Sequence, residues 1–440
     1  MTGLALAAVL GLAGVVGLVI LDVVIRRVEI GVALVLGVFA IRIALPGVFF
    51  GVSLGSFNVF VADAVFTIIL AAAVARCLRL RRWTVSLRLL LLIVVLCVLS
   101  LARGVTAFGV QAAVNEFRPF LGYFGMAAYC ATFNGAVDRL DRVAKVFVAA
   151  AAMVGVAVLI RWAGVLTGVQ PDLITASYDA PIRVLSGPQT FFLAHALFFL
   201  MPQWLDKLAT PWQRRLAAVL LVMVTLLNRR TVWLAMLGGF VVLVLRRRGL
   251  GGSVRPLLAL AAVVGAVVFF SLPDTTAGPQ DVAQSAVNTN TFSWRVEGWV
   301  SLLTDNGPAK ASEWLLGRPM GSGYEREVLT GQGQLYTVDS SPHSFYLQTL
   351  LRTGLVGVAA MSAVLGIALR NLLPTRWSSP VRLAAPGRLL TQESLFILVL
   401  MQVIWFATWQ AGDDQGVVTG LAAAASWRSV QDRQTSRSGL

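Results

Sequence analysis

The chain has 440 residues, 57% of them hydrophobic and only 13% charged, with a mean hydropathy of +0.78 and a formal net charge of +15. Soluble domains carry about 25% charged residues, so an ordinary soluble enzyme is excluded. The apolar content excludes a disordered chain, and the 40 glycines follow no three-residue period, which excludes collagen. Cys77, Cys97 and Cys130 fall in or beside apolar runs and give no disulfide framework. What remains is an all-α polytopic membrane protein.

Spanning the hydrocarbon core takes about 20 apolar residues. Such runs are read at 3–25, 28–45, 59–76, 84–102, 118–134, 144–166, 187–205, 212–228, 230–245, 254–272, 343–369, 391–410 and 414–427, a bundle of about 12–13 transmembrane helices. The last run is short, and either re-enters the membrane or packs beside its neighbour. The first lacks a basic n-region and a cleavage site, so a cleaved signal peptide is not expected. The runs divide the chain into N-terminal transmembrane helices (1–272), one large extracytoplasmic loop (273–342), C-terminal transmembrane helices (343–427) and a basic cytoplasmic tail (428–440). A shorter excursion lies at about 166–187. Loops as long as 273–342 are commonly functional or disordered.

Charge fixes the topology. Loops after the odd-numbered runs hold two thirds of the 36 lysines and arginines, among them Arg26–Arg27, Arg79–Arg82, Arg139–Lys145, Arg214–Arg215 and Arg246–Arg248. They hold only a third of the 21 acids. Basic loops face the cytoplasm, which places the long loop outside. The net charge is thus a topology signal, and no nucleic-acid partner is expected.

Few groups are equipped for chemistry. Neither GxxxxGK[ST] nor GxGxxG after a strand is present, so no nucleotide is expected. Without HExxH or paired CxxC, no metal site or other cofactor is expected either. There are two histidines. His195, in FFLAHALFF, reads as an interhelical hydrogen-bonding group. His343, in SSPHSFYLQTLLRTGLVG, lies where the long loop enters a membrane run. With Ser341 as cap and Pro342 first, it would occupy the first helical turn. Free N–H groups there disfavour imidazolium and attract anions. Two readings stand: a neutral proton acceptor, or an interfacial histidine bonded to a loop carbonyl.

Arginines on the outer side break the positive-inside pattern. Arg229 and Arg230 occupy a tight hairpin between two runs, Arg295 lies between Trp294 and Trp299, and Arg118 opens another run. Arg352, nine residues after His343, would sit about 13 Å into its helix. Intramembrane arginine is costly and faces a partner or a cavity. Internal pairing with Asp63, Glu116 or Glu297 is one explanation, and a phosphate-bearing lipid held by guanidinium forks is the other. Trp294, Trp299, Trp314, Tyr324 and Tyr336 are candidates to stack on sugar rings or to form the loop's own core. The Asp413–Asp414 pair reads as a wet outer loop rather than a metal or base site.

Together these stretches carry a resemblance. LLNRRTVWLAMLGGFVVLVL resembles the arginine-bearing membrane segment of the bacterial O-antigen ligase and O-antigen polymerase family. TFSWRVEGWV with WLLGRPMGSGY is similar to that family's large periplasmic loop, and HSFYLQTLLRTGLVG to its histidine segment. FNVFVADAVFTIIL resembles an early family segment with Asp at a helix start. The resemblance covers roughly 180–370, and the three main stretches follow in the family's order.

The resemblance implies a GT-C-like, inverting, metal-independent glycosyltransferase of the bacterial cytoplasmic membrane, with its active site on the periplasmic face. Its donor would be a polyprenyl-diphosphate-linked glycan, and its acceptor a glycan or lipid hydroxyl. His343 would be the base or would orient the acceptor. Arg230 and Arg295 would hold the diphosphate, with Arg229 as the alternative where the arginine is doubled. Arg118 and Arg352 are further diphosphate candidates, and Trp294, Trp299 and Tyr346 candidate acceptor or sugar contacts. The competing class is a flippase for lipid-linked glycans, whose cations would be spread along a pathway.

Overall fold

The computed structural model describes residues 3–45, 48, 50–54, 57–80, 83–133, 137–167, 184–227, 229–246, 290–305, 307–329, 335–373 and 387–438. In chain order the elements are α1 (Gly3–Arg26), α2 (Val28–Ala44), β1 (Gly51–Leu54), β2 (Phe57–Phe60), α3 (Val61–Arg79), α4 (Val85–Phe108), α5 (Val110–Phe120), a π-helical turn (Leu121–Gly125), α6 (Met126–Ala131), α7 (Val137–Thr167), α8 (Gly187–Leu205), α9 (Pro211–Leu226), α10 (Arg230–Arg246), α11 (Asn290–Thr304), α12 (Ala311–Leu316), β3 (Glu325–Leu329), β4 (Leu335–Asp339), α13 (Phe345–Leu372), α14 (Gln392–Phe406) and α15 (Asp413–Ser438). The strands form two antiparallel hairpins, β1–β2 and β3–β4. This is an all-α polytopic membrane protein.

Among the described residues four helices are long and apolar enough to cross a membrane: Val61–Arg79, Val85–Phe108, Asp138–Val165 and Phe345–Leu372. Thr231–Leu243 and Gln392–Phe406 are shorter apolar helices. The apolar run expected at 254–272 lies outside the described residues, as does the excursion over 168–183. Large apolar side chains stay exposed on α1, α3, α4 and α7, among them Leu18, Leu78, Val95 and Ile160. That surface suits lipid rather than water. By contrast α8 is buried almost all round, from Thr190 to Gln203. It packs against α7, α9, α10 and α14.

Local chemistry sets the helix limits. Ser186 and Gln189 form a capping box at the start of α8, with the Ser186 N–H donating to Gln189 Oε1 at 2.9 Å. Thr210 and Gln213 do the same for α9, which Pro211 opens. Such caps satisfy N–H groups that have no carbonyl one turn back. Two elements differ from the sequence expectation. The run expected at 118–134 belongs to a rod that starts at Val110, where Pro119 removes one ladder donor and a π turn follows. The final helix does not stop at 427 but continues to Ser438.

Hydrogen bonds tie the element ends into two layers. At one end Arg388 bonds Asp138, Lys145 pairs with Asp141 at 2.9 Å, and Arg76 donates to the carbonyls of Val24 and Ile25. At the other, Arg161 donates to the carbonyls of Val184 and Ile43, and the Met320 N–H donates to the Ser100 carbonyl. This second end carries α11, α12 and the β3–β4 hairpin.

Candidate active site

The segment leading into α13 builds the site. Its N-cap is Ser344, whose Oγ accepts from the Leu347 N–H, so the helix starts at Phe345. The expected placement, with Ser341 capping and His343 in the first turn, is therefore corrected: His343 precedes the helix. Its backbone is left-handed, with φ +52°. That conformation costs an L-residue about 1–2 kcal/mol, and here the turn is held from all sides. Trp299 Nε1 donates to the Pro342 carbonyl at 2.6 Å, Gln348 Nε2 donates to Ser341 Oγ, and the Phe345 N–H donates to the Trp409 carbonyl at 3.0 Å. Held strain of this kind is concentrated at functional sites.

Around His343 the structure gathers Arg295 from α11 and Trp409 from the α14–α15 connection. The imidazole meets the Trp409 ring edge-to-face at 5.0 Å between centroids. Arg295 Cζ lies 5.7 Å from the centre of the same ring, and its Nη1 donates to the Thr408 carbonyl at 3.4 Å. Burial first, and then the charges of Arg295 and Arg326, pull the His343 pKa down to about 4. The imidazole is thus neutral at ordinary pH. His343 Nδ1, Trp409 Nε1 and Gln348 Oε1 are buried without a hydrogen-bond partner among the described residues. Behind Trp409 an aromatic stack runs inward: Trp405 lies parallel to it at 5.5 Å, and Phe191 parallel to Trp405 at 4.3 Å.

The hairpin between α9 and α10 holds Arg229 and Arg230. α9 ends at Leu226 and α10 begins at Arg230, as tight as the sequence implies. Arg229 donates from Nε and Nη2 to the Leu185 carbonyl at 3.2 and 2.5 Å. Two residues on, the Cα of Gly187 comes so close to Trp409 that an added Cβ would stand 3.0–3.2 Å from the indole. Arg230 opens α10, but its side chain lies outside the described part, as do those of Trp294 and Tyr336.

Two other arginines stand elsewhere. Arg118 holds Asp63 through Nε and Nη2, both at 2.8 Å, donates to the Asn58 carbonyl at 2.6 Å, and bonds Asn115. Arg352 is fully buried, contacts Glu116 at 2.7 Å, and donates to Ser322 Oγ and the Gly323 carbonyl. Both follow the internal-pairing explanation, because carboxylates and carbonyls take up their forks. Nor does Arg352 sit deep in an unbroken helix: α13 breaks two residues later, at Gly354 (φ +68°). Tyr346 donates to the Val403 carbonyl at 3.1 Å, and Tyr324 packs with Leu302, Leu347 and Leu351.

His195 bonds Asp414 Oδ2 at 3.3 Å, with both side chains fully buried. The interhelical role expected of His195 is what the structure has. The wet-loop reading of Asp413–Asp414 is corrected, since Asp414 lies in the first turn of α15 within the core. Among the described residues no three of His, Cys, Asp and Glu gather to hold a metal ion.

Sequence reasoning missed Trp409 and Arg326. Trp409 was legible as the partner of Trp405 at i,i+4 in a short outer connection. Arg326 carried no signal apart from its strand. Glu116 was named only as a possible ion-pair partner. In the structure it also accepts the N–H groups of Gly321 and Gly323, both at 2.9 Å, and so docks that turn.

Comparison with known proteins gives one family. A family model described as O-antigen ligase matches residues 216–362, about a third of the chain, from α9 to the middle of α13. The stretch contains Arg229, Arg230, Arg295, Arg352 and His343. Over this stretch the chain is similar to the O-antigen ligase family, and the same stretch carries the arginine and histidine motifs. No curated protein matches the chain.

Proposed function

We propose that this chain is an inverting glycosyltransferase of the cytoplasmic membrane that moves a glycan from a polyprenyl diphosphate to an acceptor hydroxyl on the extracytoplasmic side. The acceptor is a growing polysaccharide, a glycolipid or another surface glycan. The observation that carries this reading is the neutral imidazole of His343, held in a strained turn beside the Arg295 guanidinium. The O-antigen ligase match over the same segment supports the choice of donor.

In this reading the acceptor hydroxyl attacks the anomeric carbon of the donor. The new bond joins acceptor oxygen to that carbon, and the bond to the phosphate oxygen on its opposite face breaks. The hydroxyl proton goes to the His343 imidazole, a step in which a positioned base contributes about 10²–10⁴-fold. The electron pair leaves with polyprenyl diphosphate, whose growing charge Arg295 and the Arg229–Arg230 hairpin stabilise. The unpaired polar atoms of His343, Trp409 and Gln348 suit a hydroxyl-rich ligand, since each otherwise costs about 1–3 kcal/mol. Arg118 and Arg352 serve the scaffold. Trp299 holds the His343 turn through Pro342 and would meet sugar only with its exposed part.

The test uses the purified chain in liposomes with polyprenyl-diphosphate glycan, without nucleotide and with EDTA present. Release of free polyprenyl diphosphate with glycan attached or elongated, lost in Arg295→Ala and His343→Ala, is the expected result. A donor that stays intact but changes leaflet would make the protein a flippase.

A further inference from the structure

Trp409 lies outside the segment that carries the family match, 216–362, yet three elements of the site meet on it. Its ring packs against His343 at 5.0 Å, and Arg295 sits over it at 5.7 Å. Its own carbonyl accepts the Phe345 N–H at the start of α13. Its other contacts leave the ring little freedom: Trp405 stacks parallel at 5.5 Å, and the backbone of Gly187 closes on the benzo edge. The Trp409 N–H donates to the Trp405 carbonyl at 2.9 Å, so the connection continues the turn that ends α14.

We propose that Trp409 is a positioning residue of the site, one indole ring that keeps the His343 imidazole away from water and seats the Arg295 guanidinium beside it. Base and phosphate clamp come from different elements, the turn before α13 and α11, and Trp409 fixes their relation from a third. Gly187 bears on the ring's place: an added Cβ there would stand 3.0–3.2 Å from the indole, close enough that the ring would have to give by a few tenths of an ångström. A cation over an indole face gains about 0.5–2 kcal/mol depending on solvent exclusion, and the same ring excludes that solvent. The inference rests on the reading of His343 as base for its catalytic meaning, but its physical content is independent of turnover.

That independence gives the test. Diethyl pyrocarbonate modifies neutral imidazole, and the chain has only two histidines. His195, fully buried, is the internal control. Modification of His343 is followed by peptide mass spectrometry between pH 5 and 8 in the liposome-reconstituted protein. The charged groups bearing on His343 are Arg295 on α11 and Arg326 on β3, both opposing protonation. No substitution tested removes either.

In the wild type the rate is expected to be flat over this range, because His343 titrates below it. In Trp409→Ala water reaches the ring, the rate at pH 8 rises, and a titration appears with its midpoint moved toward the ordinary value of about 6.5. Trp409→Phe keeps an aromatic cover and should restore the flat profile. Gly187→Ala, which leaves Trp409 in place but presses on its edge, should move the profile in the same direction by less. This variant keeps the question open to measurement if Trp409→Ala fails to fold. Transfer should fall by at least about tenfold in Trp409→Ala and far less in Trp409→Phe. Wild-type reactivity profiles in both Trp409→Ala and Gly187→Ala, or in Gly187→Ala alone if Trp409→Ala cannot be folded, would overturn the inference while leaving the transferase reading intact. Full transfer by His343→Ala would remove that reading instead, and the modification profiles would still decide the role of Trp409.

Discussion

His343 brings together the costs that a purely structural residue would avoid. Its backbone is left-handed, its Nδ1 is buried without a partner among the described residues, and two arginines oppose its charging. Replacing it with alanine leaves the left-handed backbone strain in place but removes the base, and should lower turnover by about 10²–10⁴-fold, read as kcat in the liposome assay with a folded variant. The pH dependence has a definite sign. A base whose pKa is depressed to about 4 is competent above that value, so activity should hold from pH 8 down to about 5 and fall as pH approaches 4. The arginines keep their charge throughout, so donor binding should persist across the fall. An acid limb near 6.5 would mean that the imidazole is not buried in the way described. Sequence alone singled out His343 and Arg295 because histidine is rare here and an arginine on the outer side is out of place. It misjudged the turn, because Ser341, Pro342 and Ser344 all offer plausible helix starts and only packing chooses among them. Nothing in the residue order marked Arg118 and Arg352 as ion-paired, since their carboxylate partners lie 55 and 236 positions away.

At the scale of elements, the site depends on how α12 and the turn after it dock on the bundle. Glu116 on α5 accepts from Gly321, Gly323 and Arg352 at once, while Ser100 on α4 donates to the Arg318 carbonyl. The break at Gly354 frees the Leu351 carbonyl to accept the Arg318 N–H at 2.7 Å. An added Cβ at Gly354 would meet the Leu315 carbonyl. Glu116→Ala strands the buried Arg352 charge and should destabilise by about 3–5 kcal/mol, seen as a clear fall in melting temperature in detergent. A melting temperature unchanged in that variant would show that the ion pair does not hold the turn. Gly354→Ala should also lower stability, since it combines a positive φ with contact against backbone. These features escaped sequence reasoning for one reason: Gly354 reads as one glycine among 40, and its role exists only because α12 arrives there.

For the whole molecule, the helices were largely legible. Runs read at 187–205 and 230–245 correspond to α8 and α10 almost residue for residue, because apolar stretches bounded by Ser, Pro and Arg permit little else. The charge pattern also agrees with the connectivity. Residues assigned to one side bond each other, as Arg388 does Asp138, and those assigned to the other do likewise, as Arg161 does the Val184 carbonyl. We therefore expect a membrane-impermeant maleimide on intact cells to label Asp305→Cys but not Arg139→Cys, both exposed positions. The three native cysteines are buried and give little background. The reverse labelling would turn the molecule over and put the site on the wrong side for its donor. The long loop was the least legible part, since its helices and hairpin are organised by Glu116, by Asp339, whose Oδ1 accepts the Tyr324 N–H at 2.8 Å, and by the bundle beneath rather than by a periodic pattern. The central claim separates binding from chemistry between two side chains, and one measurement reads both. Binding of polyprenyl-diphosphate glycan and single-turnover transfer are followed together in wild type, Arg295→Ala and His343→Ala. Weakened binding is expected in Arg295→Ala, and near-normal binding without transfer in His343→Ala. Transfer at the wild-type rate in His343→Ala, with donor bound normally, would contradict that claim.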